Sequence, residues 1–445
     1  MVNESFLYRA IIVAMACACL GASADDRAGP EIDLGGQYRI MANSANVGWH
    51  PATVGSDEES RSFVNQRFRT WLDVKTGDAI GGHLQIEIGH VMWGEDDERT
   101  KTYGGDEVGV ELRRGYVTYA TEDVGLLKVG IQDWSDSFGD LLASGDWDFN
   151  VGGVSFTRSL PCGDDARIRL GGFALRDTDA SQADETMLWT LDVSGRCPLT
   201  DVLLGCSVYY VDDKGGYSYG TFGGPQSTNG VLSSHDLWIG LTADKALGAT
   251  DLNLFGIYNT GSTDDPDWDH RGYATGIRCA RKVGNGRMGI QALYATGDDS
   301  PADDTSDEFR TVAQSERDNF GAAGYWSHLG LTSPHGPSDV QDLGVSLQNR
   351  GLGLMTVQAN YGFQIRDDWS AYLAAGWLSS TESNPMNGSR EMGVELLTQV
   401  RLDLGGGLAW EGGMAYLATG DFYAESDTES PEDLYEVFSR LQLDF

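Results

Sequence analysis

Arginines that alternate with apolar residues are the feature of this sequence with the clearest chemistry. In QRFRTWLD (66–73), Arg67 and Arg69 flank Phe68, and RIRL (167–170) repeats the spacing. A guanidinium stays charged at physiological pH and binds carboxylate and phosphate groups. Because successive side chains of a strand point to opposite faces, this spacing puts the charges on one face. The pattern predicts a basic surface that attracts anions.

The same alternation assigns further charged residues to the polar face of their strands. The complete set is Arg39, Arg67, Arg69, Glu87, Glu111, Arg113, Lys128, Arg167, Arg169, Arg401 and Arg440. In a strand that crosses a membrane, an arginine on the lipid side would cost roughly 2–4 kcal/mol, so we expect this set to line the lumen of a barrel. Two roles are open for its basic members. Either they form an electropositive constriction that selects anionic solutes, or they pair with acids such as Asp73 and stabilise the wall.

The segment WSDSFGDLLASGDWDFN (134–150) is a candidate constriction loop. It combines apolar residues that could pack against a wall with four acids, which are Asp136, Asp140, Asp146 and Asp148. If the segment folds into the lumen, its acids would face the arginines and create a transverse electric field. The alternative is a loop that stays at the rim, where loops usually lie.

Metal and catalytic chemistry have little support in the sequence. Asp265, Asp267 and Asp269 have a D-x-D-x-D spacing that could bind a hard cation, but the glycine and glutamate of a complete calcium loop are missing. A solvated loop, or divalent bridging to lipopolysaccharide, is favoured over a dedicated metal site. None of the histidines lies in a nucleophile or metal motif, so we expect no catalytic residue, no cofactor and no enzymatic activity.

The elements that would position the charged face are amphipathic strands. In PEDLYEVFSRLQLDF (431–445), Tyr435, Val437 and Leu441 fall on one face, and Glu436 and Arg440 fall on the other. Strict alternation of this kind indicates a strand between an apolar and an aqueous phase. A final strand that ends on an aromatic residue is typical of outer-membrane barrels. Phe445 is therefore predicted to be the signal that the barrel-assembly machinery binds.

The connections between the predicted strands alternate in length. Short ones such as 121–125 and 405–407 alternate with long ones such as 43–62 and 212–235, as in barrels with short periplasmic turns and long extracellular loops. Counting directions places 341–348 in a loop and gives eighteen strands, or sixteen if one hairpin is misassigned. The predicted fold class is all-β, a transmembrane antiparallel β-barrel.

Composition and targeting agree with this fold. Residues 1–24 have the features of a cleavable signal peptide, which leaves 25–445 as a single barrel domain. No later apolar run approaches the ~20 residues that a membrane-spanning helix needs. The net charge of -36 excludes a general nucleic-acid binder. Cys162 and Cys197 are the best candidate disulfide pair, because both fall in turns on one rim.

Several motifs resemble the alginate-export family of outer-membrane barrels and related porins. They are GLLKVGIQDWSDSFGDLLASGDWDFNVGGVSF (125–156), RFRTWLDVKTGD (67–78), VELRRGYVTY (110–119) and YATGDD (294–299). The resemblance implies an eighteen-stranded barrel with an arginine-lined conduit. Ile131 stands at the position of an arginine in the family motif, which favours passive diffusion of small solutes over export of a polymer.

The sequence therefore predicts a channel in the outer membrane of a Gram-negative bacterium. The expected solutes are small polar or anionic molecules, including carbohydrate-like ones, that diffuse through an arginine-lined lumen. Two alternatives remain open: an exporter of an alginate-type polysaccharide, and a closed barrel that acts as a surface scaffold or adhesin. The expected partners are outer-membrane lipid, lipopolysaccharide and the assembly machinery, for a barrel that is a monomer or a homotrimer.

Overall fold

The computed structural model of the protein describes residues 29–47, 61–94, 109–145, 149–161, 163, 165–176, 185–214, 233–264, 267–300, 305–312, 327–333, 343–424 and 430–445. The predicted signal peptide, Asp146, Asp148, Asp265 and Cys162 lie outside these ranges, so the predictions that concern them stay predictions.

The described chain forms nineteen strands, and all except one of two residues have the length that a tilted barrel strand needs, or are longer. They are β1 (Glu31–Ala45), β2 (Arg61–Thr76), β3 (Ile80–Met92), β4 (Val110–Thr121), β5 (Gly125–Asp133), β6 (Asn150–Ser159), β7 (Arg167–Arg176), β8 (Thr186–Cys197), β9 (Val202–Asp213), β10 (Ser234–Leu247), β11 (Thr250–Asp264), β12 (Asp267–Val283), β13 (Gly286–Ala295), β14 (Thr305–Ser306), β15 (Leu354–Arg366), β16 (Trp369–Ser379), β17 (Glu391–Gly405), β18 (Leu408–Thr419) and β19 (Leu434–Asp444).

In the described residues, eighteen of these strands form one closed wall. Each pairs antiparallel with the next, and β19 pairs with β1. The two-residue β14 is not part of the wall, because β13 pairs directly with β15 while β14 runs parallel to the end of β12. Residues 343–348 contain no strand. The predicted fold class and the count of eighteen strands are confirmed.

The closing pair is continuous to the end of the chain. Its register runs from Ala45 opposite Glu436 to Gln37 opposite Asp444. Beyond it, the Phe445 N–H donates to the carbonyl of Gly36 at 3.0 Å, and the Phe445 ring stacks on Phe68 with centroids 6.2 Å apart. Every backbone group along this seam therefore has a partner, as a hydrocarbon environment requires.

The two faces of the wall differ as the alternation predicts. On β19, Val437 is 49% exposed on the outer surface, whereas Glu436 is fully buried and Phe438 is 3% exposed on the inner surface. Apolar residues such as Leu241 and Leu396 are exposed on the outer face of other strands. An apolar outer band over a charged interior is the pattern of a membrane barrel.

The turn between β17 and β18 requires glycine. Gly405, Gly406 and Gly407 have φ angles of 82°, 63° and 82°. Residues with a Cβ rarely adopt this left-handed region, so three consecutive glycines permit a very tight reversal. This turn lies at the end of the barrel where the short connections between strands are found, which we call the short-turn end.

Within the described residues, none of the helices is long and apolar enough to span a membrane.

Candidate functional site

Four arginines on the inner faces of β1, β2 and β4 form what we call the basic wall. Arg39 lies directly opposite Arg67 in the β1–β2 pair, and Arg69 lies on the same face as Arg67. Arg113 is on β4, and its side chain is almost completely buried, as are those of Arg39 and Arg67. The strand alternation thus brings four permanent positive charges to one side of the lumen.

Glu87 on β3 lies between these arginines. Its Oε2 accepts a hydrogen bond from Arg113 Nη1 at 2.8 Å and another from Arg69 Nε. Glu111 lies directly opposite Glu87 on β4. Arg67 donates from Nη2 to Gln37 Oε1 at 3.1 Å. Ion pairing with Glu87 therefore fixes part of the basic wall.

A β-bulge places one more arginine at the edge of the basic wall. The β3–β4 register shifts between Gln85 and Ile86, so that Gln85 pairs with Arg114 and Ile86 with Leu112. A bulge puts an extra residue into one strand, and here it allows Arg113 and Arg114 to point inward together. Strict alternation from Arg113 assigns Arg114 to the lipid face. The adjacent arginines in the sequence were the available signal for a bulge.

The other predicted lumenal charges are spread around the barrel. Lys128 lies 4.4 Å from the centre of the Tyr116 ring and 3.3 Å from Asp133. Arg401 and Arg440 both contact Glu411, at 3.7 and 2.7 Å.

The two arginines of β7 have different surroundings. Arg169 Nε lies 2.8 Å from Asp192 Oδ2, and its guanidinium covers the Trp134 ring at 4.9 Å. Arg167 is exposed at the short-turn end of the strand. Arg169 therefore attaches the connection between β5 and β6 to the wall, whereas Arg167 lies near an opening of the barrel.

Residues 134–145, which we call the first lumenal segment, pack against the inner face of the barrel. The Trp134 ring is 5.1 Å from that of Tyr209 on β9, and the Phe138 ring is 6.4 Å from that of Phe255 on β11. Leu141 and Leu142 are fully buried. The segment thus fills part of the lumen along β7 to β11.

The acids of the first lumenal segment have separate surroundings. Asp136 accepts backbone hydrogen bonds from Phe138 at 2.6 Å and Ala143 at 2.9 Å, and also from Leu142. Burial raises the pKa of Asp136 to about 7, although these backbone donors act in the opposite direction. Asp140 interacts electrostatically with Arg278, an inward residue of β12 that the sequence interpretation missed.

Residues 327–333, the second lumenal segment, lie on the stretch of wall from β15 to β17. The His328 N–H donates to Gln358 Oε1 on β15 at 2.8 Å, and the N–H groups of Gly330 and Leu331 donate to Glu395 on β17. Burial, followed by the positive charge of Arg278, lowers the pKa of His328 to about 4, so His328 is neutral at physiological pH. The two lumenal segments thus both lie near Arg278.

A cavity of about 610 Å³ opens at the short-turn end of the barrel beneath the second lumenal segment. Its polar lining includes Gln364, Ser370, Tyr372, Gln399, Arg401 and Glu411. The Tyr372 hydroxyl donates to the carbonyl of His328 at 3.3 Å, so one lining residue of the cavity also contacts the segment. A solute in this cavity would meet hydroxyl and amide groups together with the charged side chains of Lys282, Arg287, Arg401 and Glu411.

The candidate metal residues are only partly described. Asp269 is exposed near the start of β12 and does not belong to the charged groups of the lumen described above. Among the described residues, no group of three or more His, Cys, Asp and Glu side chains could hold a metal ion.

The alginate export family model matches residues 31–435. The chain belongs to the alginate export family. Its structure is that of an outer-membrane channel-like barrel of this family, and the resemblance found in the sequence is confirmed. No curated protein matches the sequence.

Solved outer-membrane channels share the fold of this alginate export family member. OccAB4 of Acinetobacter baumannii is 11% identical with a TM-score of 0.54, over 93% of this chain and 98% of that one. OccK5 (OpdH) of Pseudomonas aeruginosa is 15% identical with a TM-score of 0.52, over 93% and 98%. OpdK of Pseudomonas aeruginosa, solved with vanillate, is 11% identical with a TM-score of 0.51, over 93% and 98%. The likeness at these identities concerns the fold alone.

Proposed function

We propose that this barrel is a channel in the outer membrane of a Gram-negative bacterium, through which small polar or anionic solutes, including carbohydrate-like ones, diffuse passively. The observation that carries the proposal is the basic wall, with Arg39, Arg67, Arg69 and Arg113 arranged around Glu87. Charges on the wall of a narrow, low-dielectric conduit focus the field along the path of a solute. Guanidinium groups at such a position favour anions over cations.

The position of the lumenal segments supports the same function. Both segments pack against β7 to β17, whereas the basic wall belongs to β1, β2 and β4. A solute that passes between them travels beside the arginines. The neutral groups of the cavity at the short-turn end suit hydroxylated solutes. Vanillate in the OpdK structure is a small carboxylate in a barrel of this fold. The proposed transport needs neither a cofactor nor a catalytic residue.

Planar-bilayer recordings of the purified protein test this function. Wild-type protein should give discrete channel steps and a reversal potential that indicates anion preference in a salt gradient. Arg67→Ala and Arg113→Ala should each lower the anion-to-cation permeability ratio by about twofold or more, since each removes one charge from the lumen. Arg158→Ala is the matched control, because Arg158 lies on the outer face of β6 opposite Ile168.

Two outcomes would overturn the proposal. Unchanged ion selectivity in both lumenal variants would assign the arginines to wall stability alone. The absence of any channel steps would favour a closed barrel that acts as a surface scaffold or adhesin.

Export of an acidic polysaccharide is the second candidate, and the family match is the observation that favours it. Liposomes containing the protein, preloaded with oligouronates or with monomeric glucuronate, distinguish the two functions. Passive diffusion of small solutes predicts rapid release of the monomer and retention of the longer oligomers. Release of oligomers and monomer at similar rates would favour the exporter.

The proposed location implies further partners. Lipid would cover the apolar outer face, and lipopolysaccharide would surround the barrel. The assembly machinery would bind the terminal strand β19 with Phe445. A monomer and a homotrimer are both compatible with the closed wall, and sedimentation in detergent separates them.

A further inference from the structure

Glu395 is a lumenal carboxylate whose hydrogen bonds reach a single short segment. It lies on the inner face of β17 and is fully buried. Its Oε1 accepts from the N–H groups of Gly330 at 2.6 Å and Leu331 at 2.8 Å. Its Oε2 accepts from the Thr332 N–H at 2.9 Å and the Thr332 hydroxyl at 2.7 Å. One side chain of the wall thus binds three consecutive residues of the second lumenal segment.

The second lumenal segment crosses the wall along one row of paired residues. Gln358 on β15 pairs with Gly376 on β16, which in turn pairs with Glu395 on β17. His328 donates to Gln358, and Leu329 covers Gly376 so closely that a Cβ there would lie 2.7 Å from its Cδ1. The segment therefore advances by about one strand per residue until it reaches Glu395. Gly376 provides the space that this path requires.

The four groups that donate to Glu395 are neutral. Three consecutive backbone N–H groups that converge on one point form a concave anion site, because each carries a partial positive charge. Hydrogen bonds to a carboxylate are stronger than those between neutral groups. A buried carboxylate without them would be very costly, so the segment and Glu395 stabilise each other.

We propose that the N–H groups of Gly330, Leu331 and Thr332, with the Thr332 hydroxyl, form a carboxylate-binding site that Glu395 occupies from within the molecule. Its occupancy holds the second lumenal segment across the lumen and narrows the channel. The chemical class of external ligand that fits the site is a small monocarboxylate. This inference rests on the proposed channel function, and it adds an internal ligand that determines the width of the pore.

Conductance of Glu395→Ala in planar bilayers is the first test. Removing the carboxylate should release the segment and raise the single-channel conductance by about twofold or more. Polyethylene glycols of graded size, which lower conductance only when they enter the pore, should show a larger exclusion limit than in wild type. Heat-modifiable gel mobility verifies that the variant barrel is assembled.

Chemical rescue is the second test. The atoms that Glu395→Ala removes correspond to acetate, so acetate should occupy the vacated site and lower the conductance of the variant toward the wild-type value in a saturable manner. Acetamide has the same shape without the charge and should have no such effect. Glu391→Ala is the matched control, because Glu391 lies on the same strand as Glu395 but is exposed. Acetate should leave its pore width unchanged.

Milder variants keep the test decisive if Glu395→Ala does not assemble. Glu395→Gln keeps the shape of the side chain but places an amide N–H₂ group against the backbone N–H donors, and this group cannot accept a hydrogen bond from them. Thr332→Val removes only the hydroxyl donor. Both should widen the pore less than Glu395→Ala. Wild-type conductance and exclusion limit in every assembled variant would refute the inference while leaving the channel function intact, as would equal effects of acetate and acetamide. If neither wild type nor variants conduct, it is the proposed function that fails.

Discussion

Single side chains in this lumen stabilise buried charge in two different ways. Glu87 is surrounded by guanidinium groups, as in an ordinary ion-pair network. Asp136 and Glu395 instead accept hydrogen bonds from the backbone of a lumenal segment. The first arrangement positions charged groups beside the solute path. The second uses a carboxylate to fix the shape of a loop.

The titration of Asp136 gives a prediction at this scale. Its pKa of about 7 lies well above the ~3.9 of an unfolded aspartate, so the folded chain binds an additional proton between these values. The stabilisation of the folded chain by the raised pKa of Asp136 is complete at low pH and is lost as pH rises toward 7. The unfolding free energy should therefore fall between about pH 4.5 and 7.5 by on the order of 2 kcal/mol more in wild type than in Asp136→Asn. Urea unfolding followed by tryptophan fluorescence measures the difference, and equal pH slopes would contradict it.

Sequence alternation was sufficient to put Arg39, Arg67 and Arg440 on the inner face, because parity along a strand determines direction. It failed for Arg114, since a bulge changes the parity at that point. It also gave no indication of Glu395 binding residue 330, because that contact joins positions far apart in the chain. The alternation of residues along a strand indicates to which face each side chain points, but it does not indicate which loop contacts which strand.

The structural elements of the lumen differ in how they are attached. The first lumenal segment is anchored by apolar and aromatic contacts together with hydrogen bonds of Ser137, whereas the second combines buried leucines with hydrogen bonds to Gln358 and Glu395. Apolar anchors are insensitive to ions in the pore. We therefore expect the first segment to be a permanent part of the wall lining.

Replacing the apolar anchors tests this expectation. The double variant Leu141→Ser and Leu142→Ser removes two fully buried side chains, each of which contributes about 1.5–3 kcal/mol by burial. The first segment should leave the wall, and single-channel conductance should rise with greater current noise. Leu199→Ser is the control, because Leu199 is 94% exposed in a turn. Conductance equal to wild type in the double variant would show that other contacts hold the segment.

The strands were easier to predict than their ends. The connection predicted at 43–62 overlaps both neighbouring strands, since β1 extends to Ala45 and β2 begins at Arg61. Backbone pairing continues beyond the apolar band, where either face meets water and alternation no longer constrains the sequence. The same physical cause hides β14, whose two residues pair with β12 beside an acidic loop.

For the whole molecule, closure depends on the pairing of its first and last strands. Phe445→Ala should reduce the yield of assembled barrel severalfold, if the aromatic residue is the signal for the assembly machinery. Phe68→Ala removes the stacking partner but retains the terminal aromatic, and it should assemble nearly as wild type does. Heat-modifiable mobility of outer-membrane fractions measures both. Equal loss in the two variants would show that Phe445 acts only through packing.

Part of the lumen of this barrel is occupied by residues that lie outside the wall. The lumenal segments belong to connections between strands, and the wall closes through backbone bonds that are largely independent of side-chain identity. Insertions or deletions in those connections can therefore alter the open width of the lumen without disturbing the pairing of the strands. The sequence of such a barrel can therefore vary widely while the strand wall is kept, and the structural neighbours share the fold at 11–15% identity.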